Sequence, residues 1–152
     1  IIQLYLTLNI HDRTPFKSLN VMFVEFLDYC GKDMEFCQIQ LNYIDVDYQA
    51  GIEGLEYAAS KGLGVIVMEP LLGGKLASPH EKVALKLSGD RTPVEWALDF
   101  VWNRPEVAML LSGMGSMQMV EDNLAYADKA SAAQLRDQLI GDYPGAWLLY
   151  KK

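Results

Sequence analysis

The stretch that decides the fold prediction is GLGVIVMEPLLGGK, residues 62–75. In it, a helix-terminating glycine leads into the apolar run Val65 to Met68, which stops at Glu69-Pro70 before the pair Gly73-Gly74. A short apolar run with these boundaries is typical of a fully buried strand in a parallel sheet. Ligands of α/β proteins bind at the carboxyl ends of such strands. The stretch therefore predicts a strand that delivers its C-terminal end into a binding loop.

Strands and helices alternate along the rest of the chain. The predicted strands cover residues 2–10, 36–41, 65–68 and 107–111, and the predicted helices cover 16–30, 51–61, a segment from 93 on, 116–127 and a segment from 131 on. Gly31 and Gly62 are the expected helix stops, and Thr92 to Glu95 reads as a capping box with proline at the first helical position. This alternation implies a parallel sheet with right-handed crossovers. Four such units make either half of an eight-stranded (β/α)8 TIM barrel or a small open sheet, and periodicity alone does not choose between them.

Length and charge limit the classes of function. The 152 residues fit a single domain, 1–152, with a core that needs neither disulfides nor metal. The formal charge of −7 argues against nucleic acid and against an anionic membrane surface as partners, since both require clustered Lys and Arg. The opening residues 1–10 are interrupted by polar side chains and lack a basic start, so we expect neither a signal peptide nor a membrane span.

The cysteines and carboxylates indicate no further chemistry. Cys30 and Cys37 stand seven apart without a partner motif, so free thiols in a reducing compartment, the cytoplasm, are expected. Asp45 and Asp47 could suggest a metal, but no further ligand lies at coordinating spacing. A solvated acidic loop is the expectation, and no metal site is predicted.

Two glycine-containing loops are candidates for binding a phosphate. Gly73-Gly74 follows a strand and is either a phosphate cradle or an ordinary turn. The sequence SGMGS, residues 112–116, lies between a strand and a helix that Ser116 is expected to cap. Glycines allow close backbone approach, and a helix N-terminus favours an anion.

Four sequence blocks resemble the C-terminal half of an aldo/keto reductase, in a bacterial and archaeal branch whose members often carry an iron–sulfur tail. The blocks are FCQIQLNYID at 36–45, EGLEYAASKGLGVIVMEPLLGGKLA at 53–77, TPVEWALDFVWNRPEV at 92–107 and LLSGMGSMQMVEDNL at 110–124. They stand in the family's order and spacing over residues 36–128, whereas 1–35 and 129–152 match weakly. The resemblance implies a (β/α)8 barrel that passes hydride between NAD(P) and a carbonyl or alcohol.

The resemblance also implies which residues contact the cofactor. Carried over by position, they are Gln38 at the nicotinamide carboxamide, Met68 under the nicotinamide ring, Leu71 and Gly73 at the pyrophosphate, and Gly113, Met114, Gly115, Ser116 and Asn123 at the adenosine end. On the sequence alone, Gln38 also fits an ordinary polar residue at a strand end.

This sequence departs from the family pattern in three respects. Met68 replaces an aromatic residue found in many relatives, so a thioether contact would replace stacking. No Lys or Arg lies between Leu110 and Leu124 to balance a 2′-phosphate, which leaves NADP versus NAD open. The family's catalytic Asp, Tyr, Lys and His come from strands that precede every matching block. We therefore expect no catalytic residue here, and no competent reductase from this chain alone.

Two hypotheses follow from the sequence. In the first, the chain is the C-terminal portion of an aldo/keto reductase and keeps part of the cofactor surface. In the second, it is a non-catalytic half-barrel that acts by homodimerisation or by association with an N-terminal half, because a half-barrel leaves strand edges and an apolar inner face open.

Overall fold

The computed structural model describes residues 19–87 and 89–129 as an α/β unit built on a three-stranded parallel sheet. The strands are β1 (Phe36–Gln40), β2 (Gly64–Met68) and β3 (Val107–Leu110), and the helices are α1 (Leu19–Cys30), α2 (Gly51–Ser60), α3 (Glu81–Ala84), α4 (Pro93–Trp102) and α5 (Met117–Lys129). Short 3-10 turns cover Gly31–Asp33 and Lys75–Ala77. The strand predicted at residues 2–10, the first three residues of the helix predicted at 16–30 and the helix predicted from 131 lie outside the described residues.

The strands lie in the order β1-β2-β3, and both pairs are parallel, as the alternation of strands and helices predicts. The register pairs Cys37 with Val65 and Ile39 with Val67. Between β2 and β3 the register shifts after Val65, so that Ile66 faces Met109. The extra residue is Ala108, a bulge in the outer strand of the described sheet.

One face of the sheet is covered by helices and forms the core. Val65 and Val67 are fully buried there with Ile39, and they pack with apolar side chains from α2 and α4. The buried helical members are Leu55, Ala58, Trp96, Ala97, Phe100 and Val101. Residues that alternate along a strand point to opposite faces, so this packing fixes which side chains lie on the other face.

The ends of the helices explain most of the element boundaries. Thr92 Oγ1 accepts from Glu95 N at 3.2 Å while Glu95 Oε2 accepts from Thr92 N at 2.8 Å, which confirms the predicted capping box at the start of α4. Gly62 has φ +81° just after α2, a left-handed conformation that suits glycine.

The prediction that α1 stops at Gly31 is confirmed, although Gly31 does not adopt the left-handed conformation common at helix ends. The helix ends at Cys30, but Gly31 starts a 3-10 turn and is not among the residues with positive φ. Met34 N donates to Gly31 O at 3.1 Å, which closes the 3-10 turn that follows α1.

No helix in the ranges 19–87 and 89–129 is long and apolar enough to cross a bilayer.

Candidate functional site

The candidate site is the carboxyl edge of the sheet. Because the three strands are parallel, the loops that follow them leave from the same edge. These loops start at Leu41 after β1, at Glu69 after β2 and at Leu111 after β3. Two hydrogen bonds continue the ladder beyond the strands: Leu41 N donates to Met68 O at 3.2 Å, and Leu111 N donates to Val67 O at 2.8 Å. Neighbouring strands therefore hold the starts of all three loops together.

Gln38 lies on the face of the sheet opposite the core. It pairs with Ile66, which pairs with Met109, so these three residues form one row across the sheet. Gln40 and Met68 form the next row toward the carboxyl edge. Gln38, Ile66 and Met68 are half-buried and Met109 is 54% exposed. This face is thus partly open and mixes amide and apolar side chains, as a flat organic ring requires of its contact surface.

The loop after β2 has an unusual backbone. Glu69 and Leu72 have φ of 58° and 49°, and Gly73 and Gly74 have φ of 61° and 86°. Left-handed non-glycine residues are uncommon and persist where the surroundings fix them. In this loop the N–H of Gly73 donates to the side chain of Glu69 at Oε2. The segment is therefore a turn with a defined conformation, in which the Glu69 carboxylate accepts a hydrogen bond from within the loop. It is not a flexible glycine linker.

Leu71 and Gly73, both predicted to lie at a pyrophosphate, differ in exposure. Leu71 is half-buried and packs against the core, and its carbonyl accepts from Leu76 N at 3.0 Å. Gly73 is exposed, and the nearest atom to a Cβ added there is Glu69 Oε2 at 3.8 Å. Gly73 can approach a ligand, whereas Leu71 mainly anchors the loop.

The residue that sequence reasoning missed is Asn42, which is 0% exposed. Its Oδ1 accepts from Ile44 N at 3.0 Å and from Asp45 N at 2.9 Å, and its Nδ2 donates to Glu69 O at 3.3 Å. One buried amide thus shapes the turn after β1 and connects it to the loop after β2. A signal was available, because an asparagine directly after an apolar strand is typical of a side-chain-bonded turn.

The loop after β3 and the start of α5 carry the other predicted residues. Gly113, Met114, Gly115 and Ser116 are all exposed. Ser116 Oγ accepts from Met119 N at 3.3 Å, so the predicted helix cap is present.

Neither the backbone conformation nor the neighbouring atoms require a glycine at position 113 or 115. A Cβ added to Gly113 or Gly115 meets no heavy atom within 4 Å, and neither residue has positive φ. The space above the loop is therefore open, as close approach of a ligand needs.

Asn123 lies within α5 rather than at its start. It is the seventh residue of the helix, and its Nδ2 donates to Ser112 Oγ at 3.1 Å. It is half-buried. Asn123 therefore ties α5 back to the loop after β3, which gives it a positioning role in addition to the predicted contact.

The carboxyl edge carries charges of both signs. Asp45 and Glu69 lie in the loops after β1 and β2, and Lys75 follows Gly74 in the second of these loops. The segment 111–124 carries Glu121 and Asp122 within α5 but no Lys or Arg. Among the described residues, no three His, Cys, Asp or Glu side chains converge in a way that could hold a metal ion. The arrangement offers backbone N–H groups, amides and thioethers, which suit binding and orientation of a neutral or weakly anionic ligand.

The pKa shifts of the described residues lie away from this edge. Burial raises the pKa of the Cys37 thiol on the core face of β1 to about 11. Burial also raises the pKa of Asp99 in α4, and the nearby Arg91 partly opposes that rise. The perturbed groups are structural.

The comparisons with known proteins identify no relative: no family model matches the chain, and no curated protein matches it. What the site does must therefore be argued from its geometry and from the sequence pattern.

Proposed function

We propose that this chain is the C-terminal portion of an NAD(P)-dependent aldo/keto oxidoreductase and carries part of its nicotinamide-cofactor site. The observation that supports the proposal is that three of the predicted positions lie at one carboxyl edge of the parallel sheet. Met68 ends β2, while Gly73 and the segment 113–116 occupy the loops after β2 and β3. These positions belong to separate blocks of the sequence. A fold that placed them far apart would not support a shared cofactor site.

The proposed contacts follow from the chemistry of each position. Gln38 offers an amide donor and acceptor that match a nicotinamide carboxamide, and Met68 in the next row offers a polarizable thioether to the ring. The exposed loop at 113–116, which leads into the N-terminus of α5, suits the adenosine end. In this proposal the three strands belong to half of a (β/α)8 barrel.

Binding rather than turnover is expected of a polypeptide with this sequence. The resemblance covers the later strands only, and no set of residues here matches the proton-donating Tyr and the Lys and His that tune it. Hydride transfer to a carbonyl needs such an acid in reach of the developing alkoxide. When bound, the cofactor supplies the hydride. The described part of the fold holds and orients the cofactor.

A fluorescence titration of NADH and NADPH against the purified chain tests the proposal. We expect saturable binding of at least one cofactor, and we expect Gly113→Leu to abolish it by filling the open space above the loop. Ala127→Leu, at an exposed position of α5, is the matched control and should bind normally. Absence of binding up to millimolar concentration, or equal binding by Gly113→Leu, contradicts the proposal.

A second candidate function is assembly, either with another copy or with an N-terminal half. Specific exposed apolar side chains favour it: Met109 on β3, and Met117 and Leu124 on α5, which are 73% and 62% exposed. Ile66 and Met68 add half-buried apolar side chains on the face of the sheet opposite the core. Exposed and half-buried apolar side chains of this kind favour burial against a partner.

Light scattering at micromolar concentration measures the assembly directly. We expect a mass at least twice the 17.1 kDa of the chain. We also expect a shift toward the monomer in Leu124→Lys. A monomer in the unsubstituted chain contradicts homodimerisation.

A further inference from the structure

We propose that the Glu69 carboxylate occupies the position on the loop after β2 that a phosphate oxygen of the ligand would otherwise take. The proposal rests on the proposed function, because it concerns the phosphate contacts of the same site. It makes Glu69 a specificity-determining residue of that site.

The geometry of the loop carries the inference. The N–H of Gly73, an exposed residue of the loop, is already paired with Glu69 Oε2. The four left-handed residues 69 and 72–74 turn the chain so that this pairing closes a ring of only five residues. A carboxylate oxygen and a phosphate oxygen are both anionic acceptors of a backbone N–H, so they compete for one donor.

The main chain of Glu69 is fixed while its side chain is exposed. Asn42 Nδ2 holds the Glu69 carbonyl at 3.3 Å, Leu72 N donates to the same carbonyl at 3.0 Å, and the following Pro70 is buried. Rotation of the carboxylate into solvent therefore requires no rearrangement of the loop backbone. The donor at Gly73 would be released with the turn still formed.

Because both groups are negatively charged, the Glu69 carboxylate and a phosphate cannot occupy the Gly73 N–H together. A pyrophosphate brought to Gly73 with the carboxylate in place would meet like charge at hydrogen-bonding distance, which is unfavourable. The carboxylate must leave before the phosphate enters, so it lowers the affinity of the loop for anions. Neutral parts of a ligand, such as a nicotinamide on the Gln38 row, are not subject to this exclusion.

Amide NMR with inorganic pyrophosphate as the probe tests the inference at constant ionic strength. We expect Glu69→Ala to bind pyrophosphate at Gly73 about tenfold more tightly than the unsubstituted chain, because the competing charged hydrogen bond is gone. Glu69→Gln keeps an acceptor without charge and should fall between the two. Glu81→Ala removes one exposed carboxylate elsewhere and should behave like the unsubstituted chain.

A ligand-free measurement accompanies the titration. Hydrogen exchange at the Gly73 amide should be faster in Glu69→Ala than in the unsubstituted chain, and unchanged in Glu81→Ala. Equal or weaker pyrophosphate binding by Glu69→Ala, or unchanged exchange at Gly73, overturns the inference.

The failure of the inference and the failure of the proposed function give different results. NADH binding that is equally strong in the unsubstituted chain and in Glu69→Ala overturns the inference and leaves the cofactor proposal standing. Tighter pyrophosphate binding by Glu69→Ala without any NADH response at Gln38 or Gly113 supports the inference and overturns the cofactor proposal.

Discussion

The buried side-chain amide of Asn42 donates to the backbone carbonyl of Glu69 at 3.3 Å, so the loop after β1 holds the loop after β2. The same side chain accepts from two backbone N–H groups of its own turn. The two neighbouring loops of the candidate site are thereby fixed by one residue that itself has no exposed surface. Because the buried amide already orders both loops, they lose less conformational entropy when a ligand binds.

Asn42→Ala should therefore destabilise the fold by about 2–4 kcal/mol, because two backbone donors and one carbonyl lose a buried partner. Urea denaturation measures the change. Asn123→Ala is the matched control, since it removes one partly buried hydrogen bond at the other end of the site, and it should cost about 1 kcal/mol or less. A loss in Asn42→Ala no larger than that in Asn123→Ala contradicts the assignment.

The capping box of α4 gives a second stability prediction. Thr92→Ala removes the acceptor of Glu95 N and should lower the free energy of unfolding by about 1 kcal/mol. Thr92→Ser retains the acceptor and should remain close to the unsubstituted chain. Thermal unfolding of both variants checks the pair, and equal loss in both would mean that the hydroxyl is not the stabilising group.

The thiol of Cys37 predicts a dependence of stability on alkaline pH. Burial raises its pKa from 9.0 to about 11 in the folded chain, so between pH 9 and 11 the unfolded chain loses the thiol proton first. The unfolded state then binds fewer protons, and stability falls as pH rises through this window, by at most about 1.4 kcal/mol per pH unit. Below pH 9 this contribution to stability is fully present.

Urea denaturation at several pH values isolates the effect of this thiol. The stability difference between the unsubstituted chain and Cys37→Ala should shrink from pH 9 to pH 11. The difference between the unsubstituted chain and Thr92→Ala, which removes no thiol, should stay constant over the same range. A constant difference for Cys37→Ala would show that the thiol does not titrate with folding.

The charge of the loop after β3 predicts the choice of cofactor. With no Lys or Arg in 111–124, NADPH should bind no more tightly than NADH. Under the proposed function, Met117→Arg places a cation at the exposed first residue of α5, near the proposed adenosine end, and should favour NADPH by about fivefold to tenfold. Parallel titrations of both cofactors measure the ratio. Leu124→Arg, about two helical turns further along α5, should leave the ratio unchanged.

The three strands and the helices α2, α4 and α5 could be predicted because their signals are local, whereas the short helix α3 is not among the predicted elements. An apolar run bounded by Gly62 and Pro70, or a Thr92–Glu95 box, needs little beyond its own neighbours to form. The left-handed backbone conformations could not be predicted from such local signals. Glu69 carries no local signal for positive φ, and its conformation depends on Asn42, which is 27 residues away in sequence.

The candidate site could also be predicted only in part. That Gly73 and the segment 113–116 leave from one edge follows from parallel strand order, which the alternation of elements predicts. The shift that places Ala108 in a bulge and Met109 opposite Ile66 depends on how two strands dock. No pattern within one strand specifies it, and the same is true of the pairing between Glu69 and Gly73.

Hydrogen–deuterium exchange of the chain with and without saturating NADH shows where the cofactor binds. We expect slower exchange at the carboxyl edge of the sheet, in residues 69–74 and 111–117, with α1 and the Thr92 end of α4 unchanged. No protection by NADH, or protection confined to residues away from the carboxyl edge, would contradict the proposed cofactor site.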